Sequence, residues 1–471
     1  MAGKEELRLL QAISHWLCLL KPAITYTPYT FFPYDSLVTG TMSRVLLLLP
    51  AHTYRAEAFI EAARRTDVAV TIGTEGVSDT QPDLSGNVLA LKIRDPQAAA
   101  RATVEFARRH PIDTVIGVND VTAVTAAVVA KALGLPHNSV EAVTAAGNKR
   151  RMRELLSQRG LPVPSHAVFP FDGDSKTFAQ QVSYPCVLKP LILSSSCGVI
   201  RANDEREFMQ AFHRVGALLT TLGLTAIDEQ ARWILVENFV PGVEIALEGL
   251  LTQGVLQPLA MFDKPDPLDG PYFEETIYVT PSRLASDVQQ NIVACAGRTA
   301  EALGLQEGPV HGEFRVNQNG AWVIEMAARA IGGRCSRMLD FAAGMSLEEV
   351  ILRHALRMPL PPLTRQTRAA GVMMLPIPYG GRLHEVRGQV EARAMSGIEE
   401  LTITAEPGDE LVPLPEGTRY LGFLVARGDS PADVERSLRD AHCRLTVVIT
   451  ASPRTATDSP PLPPISPAMR F

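Results

Sequence analysis

Two glutamates, Glu313 and Glu325, fall in the stretch PVHGEFRVNQNGAWVIEMAAR (309–329), which reads as two short strands about a turn. The turn decides which side chains face each other. With Asn319-Gly320 as a two-residue turn, Gln318 pairs with Ala321 and the two glutamates lie on opposite faces. With Gln318-Asn319-Gly320 as a three-residue loop and Gly320 left-handed, Asn317 pairs with Ala321, Val316 with Trp322, Phe314 with Ile324, and Glu313 with Glu325. Matching of the apolar side chains favours the second register. Directly opposed like charges are destabilising by up to about 1 kcal/mol even when exposed, so the pair calls for a cation. Hard oxygen donors suit magnesium, which takes one or two protein carboxylates and completes its shell with phosphate oxygens and water; manganese accepts the same donors. Arg329 follows four residues after Glu325, where a guanidinium could neutralise the same phosphates and stabilise charge developing during phosphoryl transfer. His311 shares the glutamate face, although a lone histidine there is more often packed than catalytic.

Two weaker signals precede this one. In YPCVLKPLILSSSCGV (184–199) a strand ends in Lys189 and runs into Ser194, Ser195, Ser196 and Gly198. A strand lysine at a cleft can meet phosphate oxygens, and small loop residues let backbone N–H groups approach them. In VENFVPGVEI a strand ends at Glu237 and continues through Asn238, Phe239 and Val240 to Glu244. An extended segment of this kind can offer backbone groups to an adenine edge, and a carboxylate can accept from ribose hydroxyls. Taken alone, the first reads equally as a solvated lysine beside a turn and the second as an ordinary strand end.

The elements that must position these residues begin at Val45. Apolar strands (45–49, 68–72, 114–118) alternate with alanine-rich helices (56–65, 96–109, 121–133), a pattern that predicts a parallel α/β sheet covered by helices. No GxGxxG follows the first strand, so a dinucleotide site lacks its phosphate-binding turn. A linking helix is expected over 140–159, ended by Gly160 and the Pro162/Pro164 pair. A compact α+β segment carries strands 186–189, 199–201 and 233–237 and a helix from about 204 to 219. Residues 241–360 read as a larger α+β unit with helices 285–303 and 346–357. The last unit closes with strand 420–426, helix 431–442 and strand 445–449, Ser430 before Pro431 making a good helix start.

At 471 residues the chain is long enough for roughly three domains. A formal charge of −6 gives no electrostatic reason to expect nucleic acid or an acidic membrane as partner. The six cysteines stand singly, which fits a reducing cytoplasm better than a disulfide or zinc framework. The apolar run at 7–20 is interrupted by Arg8, Gln11, Ser14 and His15 and is too short to span a bilayer. The folded enzyme is expected to begin near Met42, leaving 1–41 as an extension, and the proline-rich residues 451–471 are expected to form a disordered tail.

The order Lys149, Lys189, serine-rich loop, Glu237 segment, Glu313, Glu325, Arg329 resembles the ATP-grasp superfamily over roughly residues 42–450. The resemblance implies an α/β and α+β architecture: an N-terminal parallel α/β domain (42–139), a linker helix and small lobe (140–240), a large lobe with the metal site (241–365) and a small α+β C-terminal domain (366–450). The segment GNKRRMRELLSQRGLPVP is similar to that family's linker, which places a phosphate role on Lys149. By resemblance, Lys189 meets the α and β phosphates, Ser194 to Gly198 form the phosphate lid, Glu237 to Val240 hold adenine, Glu244 holds ribose, and Glu313 and Glu325 bind magnesium. The sequence departs from the common pattern at Ala327, where an asparagine would be a further metal ligand; several amino-acid-ligating members share this departure. GPYFEETIYVTPS (270–282) and the last unit look like the L-amino acid ligases, in which a Phe-x-Glu segment lines the amino acid pocket. That puts Glu275 near a substrate ammonium with Tyr278 beside it, and Lys264 is a weaker substrate candidate. The implied activity is ATP-dependent joining of a carboxylate to an amine through an acyl phosphate, on small-molecule substrates, with a homodimer admitted. A biotin-carboxylase-like enzyme and a non-catalytic ATP-binding regulator are the alternatives.

Overall fold

The computed structural model of the protein describes residues 42–50, 55–75, 87–365 and 368–450. The expected extension (1–41) and tail (451–471) lie outside the described residues. The chain divides into two compact units, up to Pro136 and from His137 onward.

In the first unit, four parallel strands lie in the order Val88–Ala90, Ala69–Thr74, Arg44–Leu48, Thr114–Gly117. This is the expected parallel α/β sheet, with the short Val88–Ala90 edge strand added. Its central strand is wholly apolar from Val45 to Leu48 and buried throughout, as strands covered on both faces must be. Helix Asp120–Leu133 starts on an Asn119–Thr122 capping box and ends at left-handed Gly134. Gly117 at the end of its strand admits the start of this helix, because a Cβ there would lie 2.4 Å from the Thr122 carbonyl oxygen.

In the second unit, the linking helix expected over 140–159 proves to be two helices, Val140–Ala146 and Lys149–Gln158. Gly147 ends the first, and the Asn148 side chain accepts from the Arg151 N–H to begin the second. Next, an antiparallel sheet runs in the order His166–Pro170, Trp233–Asn238, Cys186–Pro190, Ile200–Ala202. Helix Glu205–Thr221, capped by Asp204, buries Phe208, Phe212, Val215 and Leu219 in the same core as this sheet, the spacing of one helical face.

A larger antiparallel sheet comes after it, in the order Gly320–Ala327, Gly308–Asn317, Val243–Thr252, Val255–Lys264, Ile277–Thr280, Ala369–Leu375, Gly422–Gly428, Ile398–Ile403. The last three strands come from the C-terminal segment, so one sheet continues across the position near residue 366 where the sequence changes character. Helix Ser286–Leu303 shares a core with Ile245, Leu247, Val310, Phe314 and Val323. Two-residue alternation then places Glu244, Glu248, His311, Glu313 and Arg315 on the opposite face. Helix Pro431–His442, capped by Ser430, packs Val434, Leu438 and Ala441 into the C-terminal core. Among the described residues no helix is long and apolar enough to cross a membrane.

Candidate active site

The hairpin brings Glu313 directly opposite Glu325, as expected, but by another route. Its loop is the two residues Gln318 and Asn319, so Asn317 pairs with Gly320, Val316 with Ala321, and Phe314 with Val323. That register alone would put Ile324 opposite Glu313. A β-bulge at Ile324 shifts the ladder by one residue and delivers Glu325 instead. The extra residue predicted in the loop is therefore in the strand. The tight loop is favoured by the Asn317 carboxamide, which accepts from the Asn319 N–H and donates to the Pro241 carbonyl. The apolar pair that fixes the register is Phe314 with Val323, both fully buried.

The bulge has a dedicated partner. Arg153, on helix Lys149–Gln158 and only 1% exposed, donates from Nη2 to the Ile324 carbonyl at 2.6 Å and from Nε to Glu237 Oε1 at 2.5 Å. Glu237 Oε2 lies 2.6 Å from Lys189 Nζ. Burial opposes ionisation of Glu237, but Arg153 and Lys189 outweigh it and draw its pKa down to about 2. Lys189 is 8% exposed, so it is not a solvated surface lysine. Lys149 donates to the Leu193 carbonyl at 2.7 Å and lies 3.5 Å from Glu325 Oε2, joining the start of the serine loop to the metal candidate. Spacing along the helix could have found Arg153, because it sits one turn from Lys149 on the same face.

Ser195 and Ser196 are both left-handed, with φ of 55° and 56°, a conformation that costs non-glycine residues roughly 1 kcal/mol or more each. Gly198 (φ 74°) has no room for a side chain: a Cβ would sit 2.6 Å from Pro190 Cγ. Its N–H donates to the Pro415 carbonyl at 2.7 Å, tying the loop to the C-terminal segment. Beside it, Arg214 holds both oxygens of Glu416, at 2.5 and 2.8 Å.

A second charge cluster occupies the polar face of the large sheet. Lys264, 6% exposed, lies 2.8 Å from Glu244, 2.6 Å from Glu275 and 3.3 Å from Glu313. Burial disfavours the ammonium, yet the three carboxylates outweigh it and hold the lysine pKa well above its usual range. Tyr278 places its ring 4.9 Å from the same nitrogen. Burial pushes the Glu275 pKa up to about 7, with Glu313 adding to it and Lys264 opposing. Arg315 holds the other Glu244 oxygen at 3.1 Å and donates to the Val240 carbonyl, so Glu244 is doubly paired and the 237–242 segment is anchored from below. Arg315 could have been read from its place two residues beyond Glu313, on the same face. His311 lies 3.4 Å from Glu313 and 3.5 Å from Glu248. Arg329 is half-buried in the bend after the hairpin, with Nη1 donating to the Ala330 carbonyl.

The residues fit a hard divalent cation between Glu313 and Glu325. Burial raises the Glu313 pKa, and Glu244 and Glu325 push against the Lys264 that would lower it, so its charge is under-compensated. Glu244, Glu275 and Glu313 also have carboxylate oxygens within 4.8 Å of one another, but the Lys264 ammonium, within 3.3 Å of all three, already occupies that position. Ala327, paired with His311, offers no further ligand.

Residues 60–137 match the ATP-grasp N-terminal domain, 182–338 the ATP-grasp domain, and 373–450 the L-amino acid ligase C-terminal domain 2. An uncharacterised protein of Sinorhizobium fredii is 24% identical over 85% of this chain and 82% of its own length. The alanine–anticapsin ligase of Bacillus amyloliquefaciens is 28% identical over 53% of this chain; the match spans 55%, about half, of that enzyme. The crystal structure of an L-amino acid ligase from Bacillus licheniformis superposes with a TM-score of 0.76 at 25% identity, covering 88% of this chain and all of that one. The chain therefore carries an ATP-grasp domain, with its N-terminal domain, and the C-terminal domain 2 of the L-amino acid ligases.

Proposed function

We propose that this protein joins the carboxylate of an amino acid to an amine, activating the acid as an acyl phosphate at the expense of ATP. The observation that carries the reading is the bulged hairpin that sets Glu313 against Glu325 beside Lys149. Glu313 and Glu325 would hold a divalent cation, which would supply charge neutralisation for the phosphate oxygens. A substrate carboxylate oxygen attacks the γ-phosphorus, the bond to ADP breaks, and the acyl phosphate forms. The amine nitrogen then attacks the acyl carbon, inorganic phosphate leaves, and the nitrogen loses a proton. Lys149, Lys189 and the 194–198 N–H groups would hold phosphate charge, and Arg329 would take the oxyanion of the second step. Closure of the serine loop would keep water from the acyl phosphate. No protein nucleophile is needed.

The alanine–anticapsin ligase among its relatives supports an amino acid substrate. The test is ADP and phosphate release across pairs of amino acids. Glu325→Gln and Arg329→Ala should each abolish amine-dependent release, and full activity in either would refute the mechanism. Release that requires bicarbonate and no amine would favour a carboxylase.

A further inference from the structure

Glu248, on strand Val243–Thr252, is wholly buried, although an apolar side chain there would avoid the cost of stripping a carboxylate of water. Within the ligase reading, and resting on its cation between Glu313 and Glu325, we propose that Glu248 and His311 are positioning residues that hold Glu313 ready for the metal. Two-residue alternation puts all three side chains on the polar face of the sheet, with His311 directly opposite Glu248. On its other side His311 pairs with Ala327, whose side chain has no polar atom. The imidazole thus spans two carboxylates: Nδ1 is 3.5 Å from Glu248 Oε2 and Nε2 is 3.4 Å from Glu313 Oε1. Whichever ring nitrogen carries the hydrogen, it faces an acceptor.

Glu248 is fixed in turn by the backbone. Its Oε2 accepts from the Ile331 N–H at 3.0 Å, two residues beyond Arg329. The line Ile331, Glu248, His311, Glu313 therefore ties the metal strand to the bend that carries the arginine. It also selects an oxygen. Glu313 Oε1 has Lys264 Nζ at 3.3 Å as well as the imidazole at 3.4 Å. Flanked by two nitrogens, Oε1 is engaged, and Oε2 is the atom offered to a cation. A single fixed oxygen suits magnesium, which demands near-ideal geometry from its ligands. The lysine alone would not fix the carboxylate, because Glu244 and Glu275 hold it more closely, at 2.8 and 2.6 Å. Without the imidazole Glu313 would be freer to turn, at the expense of metal affinity.

The test is calorimetric binding of a non-hydrolysable ATP analogue to the full chain, once with manganese and once with a chelator in place of metal. Manganese takes the same hard donors as magnesium. The ratio of the two affinities within each variant gives the gain due to metal, so a general loss of nucleotide binding divides out. Wild type should show a gain of about tenfold or more, since loss of a group that orients a metal ligand typically costs about 10–100-fold in metal affinity. His311→Leu and Glu248→Met should each remove most of that gain, with metal-free affinity within about twofold of wild type. Should Glu248→Met not fold, His311→Leu decides alone. A gain retained in either folded variant would overturn the proposal. So would metal-free binding that falls as far as metal-bound binding, which marks a merely structural role. A wild type without any gain would overturn the metal site and the proposal together. A gain that is present while no pair of amino acids releases ADP would refute the ligase reading alone, since the binding ratio does not depend on turnover.

Discussion

Arg153→Met should both destabilise the protein and weaken its use of magnesium. The substitution keeps the aliphatic bulk in a site that is 1% exposed and removes two hydrogen bonds, to Glu237 Oε1 and to the Ile324 carbonyl. Removing one partner of a buried ion pair typically costs about 3–5 kcal/mol. Glu237 keeps Lys189 at 2.6 Å, so the lower end, about 3 kcal/mol, applies. The titration of Glu237 gives the joint contribution of Arg153 and Lys189, an upper bound for Arg153 alone. The Glu237 pKa falls from 4.5 to about 2, worth about 3 kcal/mol at about 1.4 kcal/mol per tenfold change. Because the folded pKa is the lower one, this stabilisation is fully present above pH 4.5 and is lost as pH falls towards about 2.

The assay is thermal melting of wild type and variant near neutral pH and again at pH about 4, with the magnesium dependence of ADP release measured in parallel. Near neutral pH the variant should melt roughly 5–10 °C lower. Its acid limb should move to higher pH, since Glu237 would then be held down by Lys189 alone. The half-saturating magnesium concentration should rise several-fold, because the bulge beneath Glu325 has lost its donor. Melting temperatures within about 2 °C, with unchanged magnesium dependence, would refute the view that Arg153 couples the Glu237 segment to the bulge.

Lys264→Met should be more damaging than its volume change implies: it strips the cation from three carboxylates with oxygens within 4.8 Å of one another, and a loss of about 3–5 kcal/mol should appear as a lowered melting temperature. Added divalent cation should restore part of that loss. Glu416→Gln should loosen the serine loop by weakening the Arg214 clamp beside the Gly198–Pro415 hydrogen bond, read as faster proteolytic cleavage within 194–198; the pair is about one-third exposed, so little change in melting temperature is expected. Among the described cysteines, Cys443 is exposed, whereas Cys197 is buried with its pKa raised to about 11 and Cys186 to about 12. Of these, a thiol reagent at mildly alkaline pH should label Cys443 alone, as peptide mapping by mass spectrometry would check.

The fold was legible where local pattern and tertiary packing agree. The Val45–Leu48 strand, the alanine-rich helices and the Ser430–Pro431 helix start arise from hydrophobic run, periodicity and cap chemistry, each a property of a few neighbouring residues. Where a single residue resets a register, the pattern did not suffice. The linking helix breaks at Gly147-Asn148 because Asn148 can cap the second helix, although the flanking residues favour helix on both sides. In the hairpin, hydrophobic matching led to the right partner for Glu313 while misplacing the extra residue. A three-residue loop and a two-residue loop with a bulge give the same Glu313–Glu325 pairing and differ only between them. The groups that select the bulge lie far away in sequence: the Arg153 that takes the Ile324 carbonyl and the Pro241 carbonyl that holds Asn317.

The pairing of Glu275 with Lys264 was illegible for a similar physical reason. Sequence shows two adjacent glutamates and cannot say which has a counter-ion, because Lys264 and Glu313 reach Glu275 across other strands. Once those strands are in place, Lys264 pairs closely with Glu275 and Glu244 and lies farther from Glu313, at 3.3 Å. Charge placed on a sheet face by two-residue alternation is thereby balanced within the protein almost everywhere: Glu237 by Arg153 and Lys189, Glu244 by Lys264 and Arg315, Glu325 in part by Lys149. Balanced groups hold the scaffold and set where strands lie. The group left under-compensated, Glu313 beside Glu325, is the one that gains from a ligand's charge. Chemistry in this fold is thus best sought where the internal ion pairing stops.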